Sequence, residues 1–302
     1  MRKVALLALT LLSVPAVGAA VLPVGVAAQT SPASRGEWTA DTLSTWRGED
    51  GEPRIQFNLR TSAGDSRWGF GVRLRDLAGF PQSTFASAAN DIQFTWTREA
   101  GTFRFSGSFD QGRGSGTYTF TQDQTFVNNM AGAGYKNLTV DDIVRLAVID
   151  VTVAHVRGLA QAGYLNLSLD DLVRTRIHRV TPEFVRDLAA VGYKGVALDD
   201  LVRMGIHGAT PENIKGLQAQ GIRGLSVEDL IRFRIHKVTP EYIKSMKDVG
   251  FVSVSEDQLV RMRIHKVDAR FVRDARADGL ALQTPGDAVD LAIHGPRWRR
   301  KY

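Results

Sequence analysis

The chain has no cysteine among its 302 residues. Disulfides, thiolate zinc sites, thiol catalysis and lipid attachment to an N-terminal cysteine are all excluded, so its folded parts are held by apolar cores alone. Long apolar runs are scarce too. After residue 28, no segment approaches the roughly 20 apolar residues that a membrane-spanning helix needs. Charge of one sign is also missing from the body of the chain. The net charge is +6, but Arg2 and Lys3 near one end and Arg297, Arg299, Arg300 and Lys301 at the other account for it. Residues 31–122 hold 10 basic and 10 acidic side chains, and residues 123–296 hold 22 of each. A nucleic-acid binder carries a basic stripe, so nucleic acid is not an expected partner. Catalytic signatures are absent as well: there is no His-Glu-x-x-His, Gly-x-Ser-x-Gly or Walker loop. Acidic pairs such as Asp141-Asp142 fit a helix N-terminus without general acid–base work. The chain reads as a non-enzyme that needs no cofactor.

What is present begins with MRK, then VALLALTLLSVPAVGAAVLPVGVAA, then the polar QTSPASRGE. A basic start, an apolar stretch and small residues before Ala28 read as a signal peptide over 1–28 and a linker over 29–35. The alternative is an uncleaved anchor, but Pro15, Gly18, Pro23 and Gly25 interrupt the run. The expectation is an exported protein, periplasmic or secreted, with no membrane span once the segment is removed.

Residues 36–122 alternate with period two. Ile55, Phe57 and Leu59 alternate, as do Trp68, Phe70, Val72 and Leu74; Ile92, Phe94 and Trp96 follow, then Phe103 and Phe105, then Tyr118 and Phe120. Such alternation of aromatic and β-branched residues predicts half-buried strands. Short turn-forming connectors make them antiparallel neighbours, a meander or small sandwich of five or six strands. Residues 75–90 interrupt them as a loop with a helical turn. GRGSG at 112–116 lacks the Lys-Ser/Thr of a phosphate loop and reads as a hairpin turn.

From Asp123 the period becomes 29: Thr152, Thr181, Thr210, Thr239 and Asp268 follow at that interval, and six copies end at Pro296. Each of these residues is a helix N-cap. Pro182, Pro211 and Pro240 stand at the first helical position, where proline is tolerated. About ten residues on, Gly134, Gly163, Gly192, Gly221, Gly250 and Gly279 mark the left-handed residue beyond a helix end. Second N-caps follow at Thr139, Ser168, Ser226, Ser255 and Thr284, with Ala197 the exception, and an acid usually stands three residues later. Each copy is two short helices, and stacked copies would bury Val127/Val156/Val185/Ile214/Ile243/Val272, Ile143/Leu172/Leu201/Leu230/Leu259 and Val148/Ile177/Ile206/Ile235/Ile264/Ile293. The fold expected is α+β: the β domain over 36–122, a six-repeat α-solenoid over 123–296, and a basic tail over 297–302.

Two side-chain rows are candidate sites. Arg145, Arg174, Arg203, Arg232 and Arg261 would present guanidiniums along one face, suited to carboxylates or phosphates of a partner. Against this, Asp141, Asp170, Asp199, Glu228 and Asp257 stand four residues before them, the spacing of a weak surface ion pair. His178, His207, His236, His265 and His294 form a second row, and a metal- or pH-responsive module is the alternative it raises. Packed helices lie about 8–10 Å apart, too far for neighbouring rungs to share a metal, so capping of helix C-termini is the plainer reading. His155 takes a slot held elsewhere by Phe126, Phe184, Tyr242 and Phe271, and so reads as buried.

The unit GYKGVALDDLVRMGIHGATPE, together with EAGTFRFSGSFDQGRGSGTYTF ahead of it, resembles an uncharacterised bacterial family. Its β-plus-repeat segments occur in exported proteins and as extracytoplasmic extensions of zinc-metallopeptidase antirepressors of the β-lactam-sensing kind. The resemblance covers most of residues 36–296 and implies a role in envelope sensing or interaction. It does not carry over the peptidase, whose zinc motif this chain lacks, and it transfers no functional residues. The partner expected is a protein or an envelope component.

Overall fold

The structure, a computed structural model, describes residues 33–47, 51–61, 67–81 and 88–295. The expected signal segment and the basic tail lie outside the described residues.

Seven strands come first: β1 (Ala33–Arg47), β2 (Pro53–Thr61), β3 (Arg67–Arg73), β4 (Leu77–Ala78), β5 (Ala89–Arg98), β6 (Gly101–Asp110) and β7 (Arg113–Gln122). They form one antiparallel sheet in the order β3-β2-β1-β7-β6-β5-β4. The expectation of five or six strands is thus corrected to seven, and β1 begins three residues inside the expected linker. β1 lies in the middle of the sheet, paired with β2 on one side and β7 on the other. Between β3 and β4 a single 3₁₀ turn covers Leu74–Asp76.

The sheet curls until its inner face packs on itself. Phe70 on β3 stacks on Trp96 of β5 with ring centroids 5.0 Å apart, though four strands separate them in the sheet. Trp38 meets Phe94 edge-on at 5.5 Å, and Phe94 stacks on Phe105 at 4.7 Å. Offset and edge-to-face contacts are the arrangements that aromatic quadrupoles favour. Trp38, Phe94, Trp96 and Phe105 are 1–2 % exposed and belong to the core. The β6–β7 hairpin turns at Gln111-Gly112, both with positive φ (47° and 80°), the geometry of a type I′ turn. Gly107 and Gly116 face each other across the same hairpin, where a Cβ on either would meet the opposite carbonyl oxygen at 2.0–2.1 Å.

Twelve helices follow among the described residues: α1 (Gln124–Gly132), α2 (Val140–Ile149), α3 (Val153–Gln161), α4 (Leu169–Ile177), α5 (Pro182–Ala190), α6 (Leu198–His207), α7 (Pro211–Ala219), α8 (Val227–Ile235), α9 (Pro240–Asp248), α10 (Glu256–Ile264), α11 (Ala269–Ala277) and α12 (Pro285–His294). All the odd-numbered helices start with the expected N-cap, whose side chain accepts the N–H three residues on. Reciprocal capping boxes close Thr139 with Asp142, Ser168 with Asp171, Ser255 with Gln258 and Thr284 with Asp287, while Ala197 makes no side-chain cap. The odd helices end in Schellman turns: Gly134 donates to Ala131 O and Tyr135 to Met130 O, and the pattern recurs through Gly279 and Leu280. The even helices α4, α8 and α10 make the same turn on Arg179, Lys237 and Lys266, non-glycine residues at φ 59°, 55° and 58°.

That second turn corrects one expected core row. After the left-handed residue, Val180, Val238 and Val267 fold back to 0 % exposure, and their N–H groups bond to Thr175, Phe233 and Met262. They take the core place at the helix end, so the residue just before the cap faces outward. Ile177, Ile206, Ile235 and Ile264 are 52–53 % exposed and Ile293 is 44 % exposed, whereas Val148 in the same slot is 6 % exposed. Val148 belongs to the apolar cluster that includes the sheet's aromatic rings. The rows through Ile143 and Ile214 are buried as expected, with Val127 and Val185 partly covered.

Sheet and helices share a polar joint. Asp123, the N-cap of α1, donates its N–H to Ala100 O at 2.9 Å, and Glu99 accepts the Val153 N–H at 3.3 Å. Asp150 pairs with Arg98 of β5 at 3.5 Å and with Arg176 of α4 at 2.6 Å. Burial lowers the pKa of Arg98, and Asp150 opposes that shift. Removing this carboxylate leaves a mostly covered cation without its counter-charge. Asp150→Ala is expected to destabilise the fold by roughly 1–3 kcal/mol, less than for a fully buried pair, read as a lower urea midpoint. In the opposite direction, Lys237→Gly relieves a left-handed residue and is expected to stabilise by about 0.5–1 kcal/mol, since Gly208 already holds the equivalent place at φ 68°. A midpoint unchanged or lowered by Lys237→Gly would show that the turn is not strained.

Candidate interaction surface

The arginine row lies on the even helices, and its charges are already used. Arg145 pairs with Asp170 at 2.5 Å, Arg174 with Asp199 at 2.7 Å, Arg203 with Glu228 at 2.6 Å and Arg232 with Asp257 at 2.6 Å. Each bond joins an even helix to the next even helix, 25 residues on. The expected partner four residues before the arginine, on its own helix, is not the one engaged. The same guanidiniums reach back to Asp171, Asp200 and Asp229 three residues earlier. Arg261 makes no ion pair among the described residues, because the slot of the next acid holds Gly286. The row is a chain of alternating charges rather than an open cationic face.

Tyrosines tie the loops in the same way. Tyr135, Tyr164 and Tyr193 each donate the hydroxyl to a backbone carbonyl 32 residues on, at Leu167, Val196 and Leu225. The hydrogen-bonded donors 27 residues ahead of their acceptors, Gln218 to Val191, Lys247 to Gln220 and Arg276 to Val249, bridge the odd helices.

The exposed isoleucines border these pairs. Along each of α4, α6, α8 and α10, arginine, isoleucine and histidine stand at positions i, i+3 and i+4, one face of a helix. His178, His236 and His265 are C-cap residues, and His207 and His294 end their helices. His294 Nδ1 lies 3.1 Å from Asp290 O. Among the described residues, no three His, Cys, Asp or Glu side chains are gathered to hold a metal. The histidines lie at helix ends, as expected of caps.

A further row went unread in the sequence although it keeps the same interval: Arg157, Arg186, Lys215, Lys244 and Arg273, all exposed on odd helices. Between α3 and α5 the surface sinks into a groove of about 830 Å³, lined by Arg157, Arg186, Lys194, Glu183, Pro182 and Tyr193 among others. Arg157 donates to Asn129 at 3.1 Å and Arg186 pairs with Asp187 at 3.1 Å.

His155 is buried, as expected. Its Nε2 lies 3.0 Å from Thr175 Oγ1, which in turn donates to Leu172 O at 2.8 Å. With the hydroxyl proton committed to that carbonyl, Nε2 is placed to donate to Thr175 Oγ1. Burial pushes its pKa down to about 4; Arg176 adds to the shift, and Glu183 and Asp150 oppose it. Asn213, in the same slot of α7, is half-buried with no partner for Oδ1.

No protein-family model matches the chain, and no curated protein or solved structure does either. Among the described residues, no helix is long and apolar enough to cross a membrane.

The histidine makes a pH prediction. Below its ordinary pKa of 6.5 the unfolded chain takes up a proton that the folded ring refuses until about pH 4. Stability therefore falls as pH drops through that window, by up to about 3 kcal/mol from this group. His155→Phe, the residue of the neighbouring slots, is expected to remove this share of the loss. Denaturation midpoints measured from pH 7 to pH 4 test it: parallel curves for parent and variant would clear His155 of the effect.

Proposed function

We propose that this is a non-enzymatic exported docking protein, a β domain fused to an α-solenoid of six 29-residue helix pairs, which binds a protein partner or envelope component through its repeat surface. Contacts between alternate helices and the bonds recurring at 25, 27 and 32 residues support the solenoid. The resemblance to exported and extracytoplasmic β-plus-repeat segments supports the location and a role in envelope sensing.

One observation carries the docking reading: five isoleucines at equivalent positions, each about half exposed on one side of the even helices. Single exposed apolar residues are ordinary, but the same exposed isoleucine at equivalent positions of five successive helix pairs is a candidate interaction site. The arginine row, with four of its five members paired to neighbouring acids, serves here as the border of that site.

Photo-crosslinking in cells tests this reading. A photoactivatable residue at position 206, 235 or 264 is expected to form adducts, and one at 215 or 244 on the odd helices is not. Replacing Ile206, Ile235 and Ile264 with serine together is expected to cut capture from a neighbouring probe at least about tenfold, the scale of an interface hot spot. Adducts only from the odd helices would move the site to the groove and its cations; none from either face would end the docking reading.

A further inference from the structure

The exposed isoleucines sit at an edge, not in a groove. Each is the last or penultimate residue of its helix, followed at once by the histidine and the turn. Among the described residues, neither the cavity between α3 and α5 nor the one beside Phe251 is lined by any of the five. A peptide or helix from a partner is usually held in a concave site, and this edge offers none. A lipid surface needs no groove, because acyl chains and headgroups rearrange around whatever is inserted.

The charges along the edge point the same way. Lys237 and Lys266 are exposed directly beyond Ile235 and Ile264. On the other side, the carboxylates of Asp170, Asp199, Glu228 and Asp257 are each neutralised by an arginine. The edge thus presents apolar side chains beside the ammonium groups of Lys237 and Lys266, which make no ion pair among the described residues. After Ile293, His294 and the intervening Gly295-Pro296, the sequence runs Arg297, Trp298, Arg299, Arg300, Lys301 and Tyr302. Clustered basic residues with Trp and Tyr have the composition that favours anionic headgroups.

We propose that the isoleucine edge of the even helices docks on an anionic lipid surface, with the isoleucines inserted at the headgroup boundary and Lys237 and Lys266 beside the lipid phosphates. The inference rests on the docking reading and names its envelope component. The two forces are those that hold amphipathic surfaces to membranes, buried apolar area and attraction to anionic lipid.

The absence of cysteine supplies the test. Single cysteines replace Ile206, Ile235 or Ile264, and Lys215 on α7 as a control, in the full chain. Each carries an environment-sensitive dye, and each variant is first matched to the parent by thermal unfolding. Vesicles of phosphatidylglycerol are expected to shift the dyes at 206, 235 and 264 to the blue, with quenching by brominated acyl chains. High salt or phosphatidylcholine vesicles should reverse most of the shift, and the dye at 215 should not respond. Attachment through any other segment, including the apolar run before residue 28, would leave the edge dyes in water, so the readout is positional. If all four positions respond alike, or phosphatidylcholine does as well as phosphatidylglycerol, the lipid assignment is overturned. If the edge dyes stay in water while probes at the same positions crosslink to a protein in cells, docking stands and the occupant is a protein. If neither occurs, both readings fall.

Discussion

A helix of nine residues does not hold itself together in water, and every α-helix among the described residues has nine or ten. Each must bury one face on its neighbours and satisfy both ends locally. The N-caps and left-handed turns meet the second need, bond by bond. The first need is met only in company, because the apolar rows through Ile143 and Ile214 line up when one pair lies against the next. The sheet follows from the same requirement. The first pair has no earlier pair to lie on, and its apolar residues instead join the curled sheet in one cluster, from Trp38 through Phe126 to Val156. Asp150 then bridges strand β5 and helix α4 across the joint.

Register between pairs is held by polar contacts at the surface. In a chain of period 29, an acid four residues before one arginine also lies 25 residues after the arginine before it. Spacing alone cannot tell which bond forms. Geometry decides, because an arginine on an even helix extends across to the N-terminus of the next, where Asp170, Asp199, Glu228 and Asp257 stand in the first turn. Carboxylates there are also favoured by the helix dipole. Each acid is therefore held by its own helix end and by a neighbour's guanidinium.

The capping grammar was legible in the sequence because Thr, Pro, Gly and Asp act through local backbone bonds that need no tertiary context. β1 was not. Its run ASRGEWTADTLSTWR has no sustained alternation, and Trp38 and Ala40 are the buried pair that seat it between β2 and β7. The isoleucine row was misread for the opposite reason. Its members stand four residues after the buried Val173, Val202, Ile231 and Val260, a same-face helical spacing, but the left-handed turn that sends Val238 inward leaves Ile235 outside. A non-glycine residue in that conformation leaves no mark in composition, so Arg179, Lys237 and Lys266 concealed the turn that Gly208 would have announced.

Core packing does not explain the exposed half of each isoleucine. A solvent-facing slot at a helix end accepts lysine, serine or glutamine at little cost, and the position just before it varies: Arg176, Gly205, Arg234, Arg263 and Ala292 share one slot. Five isoleucines in five uncovered pairs are a different pattern, and in the first pair, where the sheet lies close, the slot holds a buried valine. Val148 thus shows what the row does when something covers it. The uncovered members keep an apolar side chain where no neighbouring element covers it, and that is the feature of the helices that core packing leaves unexplained.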